Sequence, residues 1–375
     1  MKTALFSVHS DPNYGSMLQA YALSAALHKL GCENEYINYE PYNKQNCLIR
    51  LIKRIIKSLL VLLHIKKSDK TEYSFWNSPG FRKQKELFDK FHNDNIPTSR
   101  IKYYRDTIYR ANDIYRCFVI GSDQTWSPLL SSNPYSISFL PFVNKGSIKC
   151  SYAPSIGTTH ISKEYLEVLK ENLTGFTHLS CREYANADLL SSYIGRKVEY
   201  VLDPTLLLTK QEWLTISEPI DLPKNFVLCY ILGVKDNIYN YASMLANRKN
   251  LPLYIIVTRP EYINYPNALK DISVGQFISL INQASYVVTD SFHGSLFSLN
   301  MGTNFYAFAK RPQSNEMNDN DRIGDFLNVV GVYSRFKTDN DQSIGEDIDF
   351  QRIYKKIDEL RLISYGYLER IVYEN

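Results

Sequence analysis

Short apolar runs that end in small or charged residues recur along most of the chain. The first run, Lys2–Val8, is followed by a polar turn at 9–15 and then by the almost continuously apolar stretch Met17–Leu30, which Gly31 ends. A second run rich in aromatic and β-branched residues, Glu35–Tyr39, comes next. This order predicts a βαβ unit at the start of the chain.

The same pattern returns after residue 117. The runs predicted as strands are Cys117–Ile120, Lys149–Ala153, His178–Cys181, Val198–Leu202, Phe226–Leu232, Leu253–Val257, Tyr286–Thr289 and Asn304–Phe308. Helical periodicity is found near 81–93, 239–248, 274–284 and 322–330, and in a terminal stretch, 346–372, for which we expect a break near Gly366. Strands that end in polar turns and alternate with helices indicate parallel sheets whose carboxyl edges form the working crevice.

Two prolines mark the middle of the chain. Pro219 and Pro223 lie in a stretch, 209–224, without strong periodicity, which is typical of a linker. Because 375 residues exceed what one core usually supports, two domains are expected. The predicted division is a first domain at 1–210, a linker at 211–224, a second domain at 225–340 and a terminal helix within 346–375 that packs back on the first domain.

Residues 48–67 differ from the rest in kind. Arg50, Lys53, Arg54 and Lys57 fall on one helical face, and leucine and isoleucine cover the remainder. This basic amphipathic helix is too short and too charged to span a bilayer, which takes about 20 apolar residues. Two interpretations stay open: it lies on an anionic membrane surface, or it packs on its own domain with its basic side chains outward.

Composition narrows the class of protein. A hydrophobic fraction of 44% and a charged fraction of 22% describe a soluble globular chain, and a net charge of +4 is too small to argue for nucleic acid. The six cysteines are scattered without a Cys-x-x-Cys pair, and no signal peptide is recognised at the N-terminus, so we expect reduced thiols and a cytoplasmic protein. Gly-x-Gly-x-x-Gly is absent, and the Asp-x-Asp pairs at 319–321 and 347–349 are interpreted as solvated or capping acids. No metal and no cofactor are expected.

The stretch from Tyr286 to Gly302 carries the clearest candidate chemistry. It predicts a strand, a tight polar turn and the start of a helix, with Asp290, Ser291 and His293 on the turn. Free N–H groups at such a junction face the crevice and favour an anion, and the ones expected here belong to Gly294, Ser295 and Leu296. In the alternative interpretation, Asp290 or Ser291 only caps the helix and His293 bonds a neighbouring backbone group.

Arg182 directly follows the predicted strand His178–Cys181. A guanidinium at a strand end can hold a carboxylate or a phosphate with two parallel hydrogen bonds. The alternative is a structural ion pair with a nearby acid.

Six ordered motifs give the chain a family resemblance. They are Asn-Tyr-Gly-Ser-x-Leu-Gln at 13–19, Gly-Ser-Asp-Gln-x-Trp at 121–126, Ser-Tyr-Ala-x-Ser-Ile-Gly at 151–157, Arg-Glu at 182–183, Leu-Asp-Pro-Thr-Leu-Leu at 202–207 and Thr-Asp-Ser-Phe-His-Gly at 289–294. Together they resemble the polysaccharide pyruvyl transferase family over about residues 3–335, which leaves the basic helix and the C-terminus outside. The resemblance implies an α/β fold of two Rossmann-like domains facing across a cleft, similar to GT-B glycosyltransferases. It also implies an enzyme that moves the pyruvate unit of phosphoenolpyruvate onto a sugar.

The resemblance also implies roles for residues. By the resemblance, Arg182, His293 and one further arginine, either Arg311 or Arg322, bind phosphoenolpyruvate. The chemistry of that substrate adds further candidates: His293, Arg182 and Asp290 are expected in catalysis, and Ser291, Gly294, Ser295 and Lys310 are expected to help bind phosphoenolpyruvate on the second-domain side. The residues assigned to the acceptor, on the first-domain side, are Asn13, Tyr14, Gly15, Gln19, Ser122, Asp123, Gln124 and Trp126.

The expected product is a cyclic pyruvate ketal, for example 4,6-linked on galactose, with release of phosphate. The expected acceptor is a polyprenyl-diphosphate-linked oligosaccharide or other precursor of a capsule or exopolysaccharide, reached at the inner face of the cytoplasmic membrane through the segment 48–67. Two other classes stay open: a GT-B glycosyltransferase that uses a nucleotide sugar, and a non-catalytic sugar-binding or scaffold protein.

Overall fold

The computed structural model of the protein describes residues 2–41, 78–131, 136–233, 236–309 and 321–374. The predicted basic helix at 48–67 and the predicted site residues Lys310 and Arg311 lie outside these ranges. The described strands are β1 (Thr3–Phe6), β2 (Asn34–Glu40), β3 (Thr98–Tyr104), β4 (Cys117–Ile120), β5 (Ile148–Ser151), β6 (Ser180–Cys181), β7 (Glu199–Tyr200), β8 (Val227–Tyr230), β9 (Leu253–Ile256), β10 (Ala268–Leu269), β11 (Tyr286–Thr289), β12 (Asn304–Phe308) and β13 (Phe336–Lys337). The described α-helices are α1 (Tyr14–Lys29), α2 (Arg82–Asn95), α3 (Pro128–Ser131), α4 (Lys163–Leu173), α5 (Tyr184–Ile194), α6 (Lys210–Leu214), α7 (Asp236–Lys249), α8 (Val274–Gln283), α9 (Phe292–Met301), α10 (Asp321–Val329) and α11 (Phe350–Tyr373).

The first domain is built on a five-stranded sheet in the order β3-β2-β1-β4-β5, in which every pair is parallel. Strands β1 and β4 are buried along their whole length, as their apolar sequences require. The chain leaves both strands at the same edge, so the loops 7–13 and 121–127 meet there. This sheet edge forms one wall of the cleft.

The second domain repeats this plan with a six-stranded parallel sheet in the order β10-β9-β8-β11-β12-β13. Strand β11 lies in its middle, between β8 and β12, and leads directly into α9, all ten residues of which are buried. The centre of the second wall is therefore the β11–α9 junction. The two parallel sheets confirm the α/β class and the two Rossmann-like domains that the resemblance implied.

Contacts from α1 and α2 join the two domains beside the cleft. The Tyr14 hydroxyl donates to the Ile272 carbonyl oxygen at 2.8 Å, and the Tyr14 ring stacks on Phe277 with centroids 4.3 Å apart. The Gln84 amide donates to the same carbonyl at 2.6 Å and accepts from the Ile272 amide at 2.8 Å. Because these groups are buried, their hydrogen bonds fix how the walls face each other.

The C-terminal helix α11 contacts the first domain. The Tyr367 hydroxyl donates to the Ser151 carbonyl oxygen at 2.7 Å, and the Leu202 amide donates to Ser364 Oγ at 2.9 Å. The expected break near Gly366 is wrong, since the helix is continuous from Phe350 to Tyr373. One helical glycine costs only about 1 kcal/mol, which the burial of neighbouring apolar side chains offsets. None of the helices within the described ranges is both long enough and apolar enough to cross a bilayer.

Candidate active site

A cavity of about 350 Å³ lies between the two sheet edges. Seven of the predicted site residues line it: Asn13, Asp123 and Gln124 from the first domain, and Asp290, Ser291, His293 and Arg322 from the second. The sequence analysis assigned these residues to separate walls, and the fold brings the walls together. Each wall also contributes the start of a buried helix, α1 on one side and α9 on the other.

The start of α9 differs in detail from what the sequence predicted. Ser291 is the N-cap, and its Oγ accepts from the Gly294 amide at 3.2 Å. The Ser295 amide donates to the Ser291 carbonyl at 3.1 Å. The expectation of free amides at Gly294 and Ser295 is therefore wrong, because the cap and the first helical turn take both. The amides without an intrahelical partner are those of Phe292 and His293.

Asp290 holds a loop. Its Oδ1 accepts from the Leu232 amide at 2.7 Å and its Oδ2 accepts from the Gly233 amide at 2.9 Å. These amides follow β8, so the carboxylate ties the ends of two neighbouring strands together. Two backbone donors leave the carboxylate less available for proton transfer, and a catalytic role for Asp290 stays a prediction.

His293 is enclosed on two sides. Its side chain is largely buried, and Nε2 lies 3.5 Å from Asp203 Oδ2, within ion-pair distance but beyond a good hydrogen bond. On the other side the backbone of Gly15, in the first turn of α1, lies against the ring. A Cβ atom at Gly15 would be 2.1 Å from His293 Nδ1, so only glycine fits there. Gly15, predicted as an acceptor contact, instead leaves room for the imidazole.

Arg182 lies behind the cavity and does not line it. Its guanidinium is buried, donates from Nη1 to Asp203 Oδ2 at 2.7 Å and to Ser122 Oγ at 3.3 Å, and stacks on the Phe292 ring at 4.3 Å. The ion-pair alternative is thus the arrangement found. Nε and Nη2 have no hydrogen-bond partner among the described residues, and a direct substrate contact from them stays a prediction.

Asp203 joins these groups and was not singled out from the sequence. Its Oδ2 accepts from Ser122 Oγ at 2.9 Å as well as from Arg182, and its Oδ1 accepts from the Thr205 amide at 3.0 Å and from Thr205 Oγ1 at 2.7 Å. Burial alone would raise the pKa of Asp203, but His293 and Arg182 outweigh it and hold this pKa well below its usual range. The sequence feature that could have identified Asp203 is its position at the end of a predicted strand, within the motif at 202–207.

Arg322 is the guanidinium that lines the cavity. It lies in α10, 5.9 Å from the centre of the Phe292 ring on the second-domain wall. Across the cleft the Gln124 side-chain amide is 3.2 Å from both terminal nitrogens of Arg322, and it accepts from them when its oxygen faces the guanidinium. Arg322 therefore bridges the two walls at the cavity. The alternative, Arg311, falls outside the described residues, so the choice between them stays open.

Besides Gly15, four residues predicted to bind the acceptor do not line the cavity: Tyr14, Gln19, Ser122 and Trp126. Trp126 is fully buried and donates from Nε1 to the Ser138 carbonyl at 3.3 Å. Gln19 donates to Ser7 Oγ and to the Val8 carbonyl, both at 3.1 Å, and so shapes the loop after β1. These side chains support the wall, because each is turned into the core beneath it.

Three polar residues that line the cavity were missed: Asp11, Ser16 and Ser127. Ser16 Oγ donates to Asp123 Oδ2 at 2.9 Å, and the main-chain amide of Gln124 donates to Asp123 Oδ1 at 2.9 Å. Asp123 has a left-handed backbone with φ of 75°, which turns the chain sharply after β4. Ser16 lies within the motif at 13–19 and Asp11 lies two residues before it, so the position of both relative to this motif was the available signal.

The chain is similar in structure to several solved proteins. The UGT89C1 protein of Arabidopsis thaliana, solved with UDP-L-rhamnose, superposes with a TM-score of 0.50 at 10% identity, covering 100% of this chain and 98% of that one. The UDP-GlcNAc 2-epimerase of Methanocaldococcus jannaschii gives a TM-score of 0.47 at 10% identity, covering 96% and 92% of the two chains. The E. coli heptosyltransferase WaaC, solved with ADP, gives 0.40 at 12% identity, covering 96% and 97%.

The sequence comparisons identify the family. No curated protein gives a significant match to the chain. The family model described as polysaccharide pyruvyl transferase matches residues 13–310, which include both walls of the cavity as far as β12. The match confirms the resemblance drawn from the six motifs. The chain therefore belongs to the polysaccharide pyruvyl transferase family.

Proposed function

We propose that the protein transfers the pyruvate unit of phosphoenolpyruvate to a sugar diol and releases phosphate. The observation that carries the proposal is the position of His293. In a member of this family, a largely buried imidazole opens on the cavity between the domains and is enclosed by Gly15 and Asp203. Such a group can deliver a proton inside a site that excludes most water.

The second-domain wall suits the donor. Phosphoenolpyruvate carries a carboxylate and a phosphate, and the cavity offers a guanidinium at Arg322, an imidazole at His293 and the start of α9. No acidic side chain lies in the first turn of α9, so its positive end is not neutralised within the helix. Arg182, one layer deeper, would contribute through Nε and Nη2, with Lys310 or Arg311 as further candidates.

The proposed chemistry begins with protonation of C3 of phosphoenolpyruvate by the His293 imidazolium. Positive charge then develops at C2, where one sugar hydroxyl adds. A second hydroxyl attacks the same carbon while the bond from C2 to the phosphate oxygen breaks, which closes a cyclic ketal. Asp203, whose carboxylate stays ionised, would hold the imidazole in place from 3.5 Å.

The acceptor is proposed from the family and from the first-domain wall. We propose a 4,6-linked ketal on galactose, in a polyprenyl-diphosphate-linked oligosaccharide or another precursor of a capsule or exopolysaccharide. The first-domain wall would bind it through Asn13, Asp123 and Gln124. The basic segment 48–67 would bring the enzyme, as a cytoplasmic protein, to the inner face of the membrane. The alternative remains a GT-B glycosyltransferase that takes a nucleotide sugar.

A ligand-induced shift of the thermal midpoint tests the donor without knowledge of the acceptor. A ligand that binds only the folded protein raises the free energy of unfolding by mass action, by about 2.7 kcal/mol at 100 times its Kd, and so raises the midpoint. We expect phosphoenolpyruvate to raise it, and UDP-, GDP- and CMP-sugars to leave it unchanged. Arg322→Ala should lose most of the shift, while Arg100→Ala, on the exposed part of β3, should keep it.

The reverse pattern would overturn the proposal. A shift with one nucleotide sugar and none with phosphoenolpyruvate would move the protein to the glycosyltransferase alternative. Phosphate release from phosphoenolpyruvate in the presence of methyl galactoside, glucoside or mannoside, followed by detection of the ketal methyl group by NMR, completes the assignment.

A further inference from the structure

Among the described residues, three carboxylates line the cavity, and they differ in the hydrogen bonds that they already accept. Asp123 accepts from Ser16 Oγ and the Gln124 amide, and Asp290 accepts from two backbone amides after β8. The Asp11 side-chain carboxylate has no hydrogen bond or ion pair with any residue in the described ranges. Hydrogen bonds to a carboxylate stabilise its charged form and weaken it as a base, and Asp11 is the one of these three whose carboxylate accepts none from the described residues.

We propose that Asp11 is the general base that takes the proton of the attacking acceptor hydroxyl. This inference rests on the proposed function. Asp11 lies in the loop between β1 and α1, and its main-chain carbonyl accepts from the Asn13 amide at 2.7 Å. Asn13 caps α1, and Gly15 in the first turn of that helix lies against His293. The loop therefore brings Asp11 to the first-domain wall beside the enclosed imidazole.

The surroundings of Asp11 suit a base. Desolvation by the cavity walls, and secondly the Asp123 carboxylate, raise the pKa of Asp11. A raised pKa makes a carboxylate a stronger proton acceptor. The acid and the base then stand on different walls, His293 on the second domain and Asp11 on the first. Both side chains line the same cavity.

The proton balance closes with these two groups. As the first hydroxyl oxygen bonds to C2, its proton passes to Asp11, and C3 receives the proton of the His293 imidazolium. As the second hydroxyl closes the ring, its proton passes to the neutral imidazole and restores the imidazolium. The bond from C2 to the phosphate oxygen breaks with its electron pair on phosphate, and the proton held by Asp11 leaves with it as hydrogen phosphate.

The test compares Asp11→Asn with Asp106→Asn, a matched change at an exposed aspartate after β3. Phosphate release from phosphoenolpyruvate is followed with the methyl pyranosides as acceptors, and the midpoint shift with phosphoenolpyruvate is measured in parallel. Loss of a general base lowers turnover by about 10²- to 10⁴-fold, so kcat should fall by that factor in Asp11→Asn with the midpoint shift retained. Asp11→Glu should restore part of the rate, and Asp106→Asn should behave as the wild type.

The pH profile separates a base from a mere acceptor contact. The other titratable or charged groups lining the cavity are Asp123, Asp290, His293 and Arg322. The acidic limb of kcat should be lost in Asp11→Asn and kept in Asp106→Asn. A raised KM with unchanged kcat, or full activity in Asp11→Asn, would overturn the base role. A wild type that neither shifts with phosphoenolpyruvate nor releases phosphate from it would instead refute the proposed function, and the base role with it.

Discussion

The two helix starts that face the cavity are alike in construction and opposite in contribution. Helix α1 follows β1 and is capped by Asn13, and α9 follows β11 and is capped by Ser291; neither carries an acid in its first turn. The second position of α9 is His293, whereas the second position of α1 is Gly15, whose missing side chain makes room for that imidazole. One domain supplies the reactive group, and the other supplies the space.

The difference shows that this site belongs to neither domain alone. His293 is held by its own helix, but its surroundings are the Gly15 backbone and the Asp203 carboxylate, both from the first domain. A change on either wall should therefore act on the same imidazole. Substitutions of His293, Asp203 and Gly15 separate the contributions of the imidazole, of its charged partner and of the space that it occupies.

Removing the His293 imidazole should have the largest effect on turnover. His293→Ala should lower turnover of phosphoenolpyruvate by about 10²- to 10⁴-fold, because the proton donor to C3 is lost. The fold should survive, as judged by circular dichroism and a cooperative melt. His28→Ala, at the exposed end of α1, serves as the control and should keep full turnover. Substantial residual turnover in His293→Ala would contradict the assignment.

Removing the charged partner should act on stability and on its pH dependence. Breaking a buried ion pair by neutralising one member costs about 3–5 kcal/mol, so Asp203→Asn should lower the free energy of urea unfolding at pH 7 by that amount. Asp221→Asn, at an exposed aspartate in the linker, should change it by less than about 0.5 kcal/mol.

The sign of the pH effect follows from the direction of the Asp203 shift. Its pKa is lower in the folded protein than in the unfolded chain, so the carboxylate stabilises the fold above the unfolded pKa of about 3.9, and this contribution is lost as the pH falls below it. The gap between wild type and Asp203→Asn should stay constant from about pH 5 to 7 and narrow by up to about 1.4 kcal/mol per pH unit below pH 4. A gap that does not narrow there would count against the ion pair.

Filling the space should have the smallest effect on stability. In Gly15→Ala the new Cβ would meet His293 Nδ1 at 2.1 Å, so the ring or the helix must move. Overpacking of this kind costs about 1–3 kcal/mol, and a displacement of about 1 Å can lower turnover about 10²-fold. Gly366→Ala is the control: its Cβ meets no atom within 4 Å, and it should stabilise α11 by up to about 1 kcal/mol. Equal turnover in the two variants would mean that Gly15 does not position the imidazole.

The strands of the sheet centres could be predicted, and an edge strand could not. Strands β4, β11 and β12 have the predicted bounds, because a strand buried on both faces must be apolar throughout. Strand β3 lies at the edge of the first sheet, pairs only with β2 and exposes Arg100 to Lys102. An edge strand with polar residues facing solvent leaves no apolar run in the sequence, so no strand was predicted there.

For the site, the sequence supplied residue types at strand ends, and the fold decided which of them meet. Arg182 was chosen because a guanidinium follows a strand, but its distance to Asp203 depends on how two separate loops pack. Asp11 was not singled out from the sequence, since an aspartate before a proline is typical of any turn. Its free carboxylate becomes visible only once the hydrogen bonds of Asp123 and Asp290 are known.

By itself the sequence determined the alternation of strands and helices, the β11–α9 turn with His293, and membership of the family, because these depend on local pattern and on motif order. Only the tertiary structure decided that Gly15 and Asp203 enclose the imidazole, that Arg182 lies behind the wall and that Asp11 keeps its carboxylate unpaired among the described residues. These facts depend on which side chains from distant parts of the chain share a buried volume. That volume is set by the packing of the two sheets across the cleft, which no local pattern encodes.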